Sequence, residues 1–119
     1  MTTFPRVMGA LTLAYSVAVV AKPKVLAGPC GLTDEFGEVP RDVAATTRAI
    51  STRDAIISAA MLVAPGGPAL RTITTVRGLC DISDGLTLGL PASPDVRKKV
   101  IAVGGAWGAV VLFSRRWAG

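Results

Sequence analysis

Between Val7 and Ala21 the chain carries no charged residue, and the Lys22-Pro23-Lys24 triplet ends the run. A stretch of this length with such flanks reads as a membrane-crossing or deeply buried helix, with proline stopping it and the lysines reaching for polar surroundings. It also has the outline of a secretory signal, with Arg6 before it and Val19-Val20-Ala21 as a weak cleavage site. Later segments also read as membrane spans, which favours a retained helix.

The composition agrees with that reading. Of 119 residues, half are hydrophobic and 18% are charged, yet aromatics make up only 5%. The apolar mass is therefore small and aliphatic, with 13 glycines, as close helix packing in a bilayer prefers. The expected fold is all-α, an integral membrane bundle of about four transmembrane helices in a single domain, 1–119. The helices are expected at about 7–22, 43–64, 69–90 and 99–117. Pro65-Gly66-Gly67-Pro68 separates the second from the third, and Pro91 closes the third. A polar stretch, 28–42, follows the first helix and holds Asp34, Glu35 and Glu38; Pro40 and Asp42 mark the entry to the next.

Net charge is +5, but the basic residues are dispersed and lack aromatic platforms. Pairs such as Lys98-Lys99 and Arg115-Arg116 border apolar runs, a placement suited to lipid headgroups, so no nucleic-acid partner is expected. The chain has no histidine, and Cys30 and Cys80 form no metal-ligand spacing. Imidazole-based zinc, haem and di-iron sites are excluded, as is a His-dependent triad; no metal or cofactor is expected. The separation of Cys30, in a loop, from Cys80, in an apolar segment, also argues against a disulfide.

Segments two and three are less apolar than ideal spans because each carries acids and bases. On the third, Arg77, Asp81 and Asp84 fall three and four residues apart and share one helical face. On the second, Asp54 shares a face with Ser51 and Ser58, and Arg53 flanks it. The two helices are expected to face one another and to hold an Arg–Asp network away from lipid, since an unpaired charge at a helix centre costs roughly 2.5–3.5 kcal/mol on insertion scales. The lesser alternative is that both lie partly at the interface as amphipathic helices.

Such a network serves first to lock two helices in register. The same physics gives it a second use, because carboxylates that share a desolvated site supply an acid and a base without histidine. Asp54, Asp81 and Asp84 are then candidate proton carriers, with Arg53 and Arg77 stabilising negative charge. Cys80 reads as a small packed residue. Tyr15 and Trp117 read as interfacial anchors. Gly104 and Gly108 form a short small-residue packing motif. Thr46-Thr47-Arg48 with Asp54 and Thr74-Thr75 with Arg77 and Asp84 are faintly alike, but too short to define a repeat.

With Arg53-Asp54 on the second helix, Arg77, Asp81 and Asp84 on the third, and proline-ended apolar segments, the chain resembles the small four-helix membrane proteins of the DoxX-like type, in a branch of unknown function. The resemblance implies a four-helix bundle and residence in a membrane, and no established activity. Small multidrug transporters share the length and span count, but they carry a glutamate in the first helix, where this chain has no acid.

The leading expectation is a multi-pass protein of the cell membrane, accessory or structural, whose partners are the lipid bilayer and other membrane subunits or a second copy. The alternative is a membrane-embedded enzyme that uses acid–base chemistry on a lipophilic small molecule, by isomerisation, cyclisation or epoxide opening. A proton-coupled carrier is a further alternative. Four spans put Lys22, Lys24, Arg41, Arg97, Lys98 and Lys99 on one side, slightly favouring both termini outside.

Overall fold

A computed structural model describes residues 2–119 and is all-α: five helices and a closing 3-10 turn, with no strand among the described residues. The long helices are α1 (Thr3–Ala21), α3 (Arg41–Val63), α4 (Pro68–Gly89) and α5 (Pro94–Ser114); α2 (Lys24–Ala27) is a single turn in the first connection. At 1.5 Å per residue the long helices measure about 28–34 Å, close to the hydrocarbon thickness of a bilayer.

The four long helices fall in the four expected segments and differ at their ends; the last closes at Ser114, with the 3-10 turn Arg115–Trp117 completing the span expected to reach 117. α1 begins four residues before the expected Val7 because Pro5 lies in its first turn, where no N–H is required. α5 begins five residues before 99, with Ser93 in an extended cap conformation, Pro94 at the first position and Asp95 in the first turn. Charged residues conceal this start from a reading based on apolar runs. In the same way α2 lies within Lys24-Val25-Leu26-Ala27, too short for periodicity to reveal.

The bundle is two antiparallel pairs. α1 packs chiefly on α3 and α4 chiefly on α5, while contact between the pairs is sparser. Small residues set the approach within each pair. A Cβ on Gly104 of α5 would lie 2.7 Å from the Gly85 Cα of α4, and one on Gly108 would lie 2.8 Å from the Gly78 carbonyl oxygen. In the other pair a Cβ on Gly9 would lie 2.9 Å from the Met61 Cβ. The Gly104/Gly108 motif is thus an internal α4–α5 seam.

At the end that holds both termini the pairs are sealed by apolar packing. Met8, Met61, Leu70, Val111 and Ala118 form the buried core, with Phe4, Ile73 and Trp107 against it. Phe4 stacks on Trp117 at 5.3 Å between ring centroids, and Phe113 meets Trp117 edge-on at 5.1 Å. Trp117, expected as an anchor, belongs to this cluster. The Gly67 N–H donates to the Ala118 carbonyl at 2.6 Å, tying the C-terminal segment to the α3–α4 turn.

Arg6, expected as a flank, lies within α1 and caps α3. Its guanidinium donates to the carbonyls of Met61, Leu62 and Ala64 at 3.2, 2.6 and 2.9 Å, and so satisfies the acceptors that a helix C-terminus leaves open.

Polar residues are unusually well represented inside. Thr12, Ser16, Thr47, Ser51, Ser58, Thr74, Arg77 and Ser114 are buried, whereas Leu11, Val17, Ile56, Val63, Val103 and Val110 are exposed. Among the described residues, α1 is the one helix long and apolar enough to cross a membrane. α5 has a charge-free run from Val100 to Ser114 but starts with Arg97, Lys98 and Lys99, and α3 and α4 carry the charges of the network.

Candidate functional site

All five candidate residues come from α3 and α4, and they join in one chain of ion pairs. Arg77 reaches from α4 to Asp54 of α3 (Nη1 to Oδ1, 2.9 Å) and also donates to Asp81 one turn along its own helix. Arg53 of α3 pairs with its neighbour Asp54 at 2.9 Å and crosses to Asp84 of α4 at 2.8 Å. The order is Asp81, Arg77, Asp54, Arg53, Asp84, alternating in sign. The two crossings between α3 and α4 hold the helical pairs together where their packing is sparse.

Burial differs among its members. The Arg77 side chain is 0% exposed, Asp81 12%, Asp54 15% and Asp84 24%, whereas Arg53 is 45% exposed. Arg77 is therefore the interior member, and its position is possible only because two carboxylates flank it. Two buried atoms of the chain have no hydrogen-bond partner, Arg77 Nε and Asp81 Oδ2. With three aspartates and two arginines the cluster has a formal charge of −1.

Beside it lies a cavity of about 780 Å³, bounded by all four long helices and by the turn after α2. Asp54, Asp81 and Asp84 form part of its wall; most of the remainder is apolar, including Leu11, Leu26, Leu88, Val100, Val103 and Trp107. The floor is a link between α1 and α5, where the Trp107 indole N–H donates to the Thr12 hydroxyl at 3.2 Å and that hydroxyl donates to the Met8 carbonyl at 2.8 Å. Ser16 and Ser51 line the same space and are 2% and 3% exposed.

The cavity has an open side. Of its lining residues on α1 and α5, Leu11, Tyr15 and Val103 are 51%, 49% and 69% exposed. The seam between these helices is therefore a lateral mouth, opposite the α3–α4 seam that the ion pairs close. Tyr15, expected as an interfacial anchor, stands at this mouth. Lys99 lines the cavity too and makes no ion pair within the described residues. Cys30 is a buried wall residue whose thiol is pushed above its ordinary value by burial. Cys30 and Cys80 are both free.

Comparison with family models, curated proteins and solved structures yields no match. The reading of this site therefore rests on its own geometry.

The sequence pattern places all five charged residues correctly on two facing helices. What it misses is the cavity, with Ser16, Ser51, Trp107 and Cys30 in its wall. Their only sequence signal is polarity within apolar segments, and cavity volume depends on how far two helical pairs stand apart. No group of three or more potential metal ligands is present among the described residues.

Proposed function

We propose that this chain is a small multi-pass membrane protein with a binding site for a lipophilic molecule at the centre of its bundle. The observation that carries the proposal is the lateral mouth of an apolar cavity whose far wall holds three carboxylates. Its volume falls within the range of small-molecule clefts, roughly 300–1,000 Å³, and its apolar lining with few convergent polar groups is typical of them. The apolar side chains exposed on α1 and α5 and the serines and threonines buried between helices support residence in lipid, where the side seam between α1 and α5 would admit a molecule from the bilayer. The DoxX-like resemblance is proposed on the same footing.

In this reading the Arg–Asp chain has two roles: it locks α3 to α4, and it forms the polar end of the site. Acid–base chemistry on the bound molecule is the catalytic form of the proposal. Asp81, with an oxygen free of other partners, is the residue placed to take a proton. The carrier alternative has less support, because Met8, Met61, Leu70 and Val111 fill the bundle below the cavity.

One observation favours association with another membrane subunit or a second copy as a further reading. On α3 the residues Thr46, Ala49, Thr52, Arg53 and Ile56 form an exposed stripe, and its polar members would be better covered by protein than by lipid.

Native mass spectrometry of the protein, gently extracted from its own membrane, tests both. A small lipophile is expected to be retained, and to be lost when Val103→Trp fills the mouth. A protein free of lipophile but bound stoichiometrically to another chain would replace the binding reading with the subunit reading.

A further inference from the structure

The ligand class follows from what the site leaves unpaired. This inference rests on the cavity being a ligand site, and it concerns which head group that site accepts. Arg53 is committed to Asp54 and Asp84, and the Arg77 Nη atoms to Asp54 and Asp81. The remaining Arg77 Nε is buried without a partner, but Arg77 does not line the cavity. One carboxylate of the wall does keep an unpartnered acceptor. Asp81 Oδ2 is buried and has no hydrogen-bond partner, and Asp81 belongs to the cavity wall. Ser16 and Ser51, more than nine-tenths buried in that wall, add hydroxyls that orient to suit a donor as readily as an acceptor.

Charge points the same way. Three carboxylates against two guanidinium groups leave one formal negative charge beside an apolar space. A negative charge in such surroundings is stabilised by a nearby cation that is itself desolvated. Lys99 also lines the cavity, but it is exposed and pairs with none of the aspartates. An anionic head would meet the aspartates directly, and a neutral head would leave their charge uncompensated.

We infer that the cavity takes a lipophilic amine, its ammonium against Asp81 and Asp84 and its hydrocarbon body along Leu11, Val103 and Trp107 toward the lateral mouth. The ammonium supplies donors and one positive charge, matching the Asp81 acceptor, the serine hydroxyls of the wall and the formal charge together. The hydrocarbon body matches the rest of the wall.

The test uses three probes that share one tail and differ in the head: dodecylamine, dodecanol and dodecanoate. They are titrated into the full chain in lipid nanodiscs, with empty nanodiscs as the partitioning control. Trp107 in the cavity floor is the reporter, isolated by Trp117→Phe, a change in the aromatic cluster at the far end. The amine is expected to give saturable quenching at a concentration at least 10-fold below that needed with either other probe. Asp81→Asn is expected to reduce that preference about 10-fold while leaving dodecanol unchanged.

Equal response to amine and alcohol, or tightest binding of the carboxylate, would overturn the amine assignment and leave the lipophile site standing. Absence of saturable quenching by all three would remove the site itself. An amine preference that survives Asp81→Asn would overturn the role given to Asp81. The comparison of heads on the otherwise native protein decides the amine assignment even where Asp81→Asn does not fold.

Discussion

Arg77 and Arg53 occupy the same ion-pair chain in opposite circumstances. Arg77 is enclosed and pairs with two aspartates; Arg53 is 45% exposed. Removing one partner from a buried pair leaves an uncompensated charge and typically destabilises by about 3–5 kcal/mol, whereas exposed pairs contribute about 0–1 kcal/mol. Arg77→Met is therefore expected to destabilise the folded chain by several kcal/mol, and Arg53→Gln by about 1 kcal/mol or less, in denaturant unfolding followed by circular dichroism in detergent. Similar losses for both would show that the difference in burial between Arg77 and Arg53 has no energetic meaning. Arg77→Lys should recover only part of the loss, since an ammonium cannot reproduce a planar fork that serves two carboxylates at once.

At the scale of elements, the pairing of α4 with α5 depends on backbone approach at glycine. A Cβ at Gly104 would lie 2.7 Å from the Gly85 Cα, a distance that requires the helices to separate, while a Cβ at Gly105 meets nothing within 4 Å. Overpacking of this kind costs about 1–3 kcal/mol. An alanine in an open helical position gains up to about 1 kcal/mol over glycine. Gly104→Ala should lower the thermal midpoint, and Gly105→Ala should leave it unchanged or raise it, as read by differential scanning fluorimetry in detergent. The opposite order would mean that α4 and α5 do not pack through this face. Sequence spacing identifies Gly104 and Gly108 as a motif, but it does not separate them from Gly105, because the three lie on neighbouring faces and only a partner helix tells those faces apart.

For the whole molecule, the ends of α1 and α5 lie together: Phe4 stacks on Trp117, and the Gly67 N–H is bonded to the Ala118 carbonyl. Both termini are thus on one side of the bundle. The other end carries Lys22, Lys24, Arg41, Arg97, Lys98 and Lys99. If the bundle crosses a membrane, the more basic end is expected to face the cytoplasm and the termini to face away. Reporter fusions to each terminus, one active only in the cytoplasm and one only outside it, check this: both ends should score as external. Termini on opposite sides would contradict the antiparallel pairing, and both inside would mean that the small excess of basic residues does not set orientation.

The sequence by itself determined the helices and the members of the charged cluster. A charge-free run bounded by prolines and lysines leaves α1 little choice, and Arg77, Asp81 and Asp84 share a face wherever a helix forms, because 3.6 residues per turn is a local property. Even the opposition of α3 and α4 follows from composition, since each brings charges that apolar surroundings do not tolerate alone. Only the tertiary structure decided who pairs with whom: that Arg53 crosses to Asp84, that Arg77 takes Asp54, and that Arg6 leaves its expected flank to cap α3. It also decided that Ser16, Ser51 and Trp107 surround a cavity. These are relations between surfaces distant in the chain, and they depend on the spacing and rotation of two helical pairs, which no local periodicity encodes.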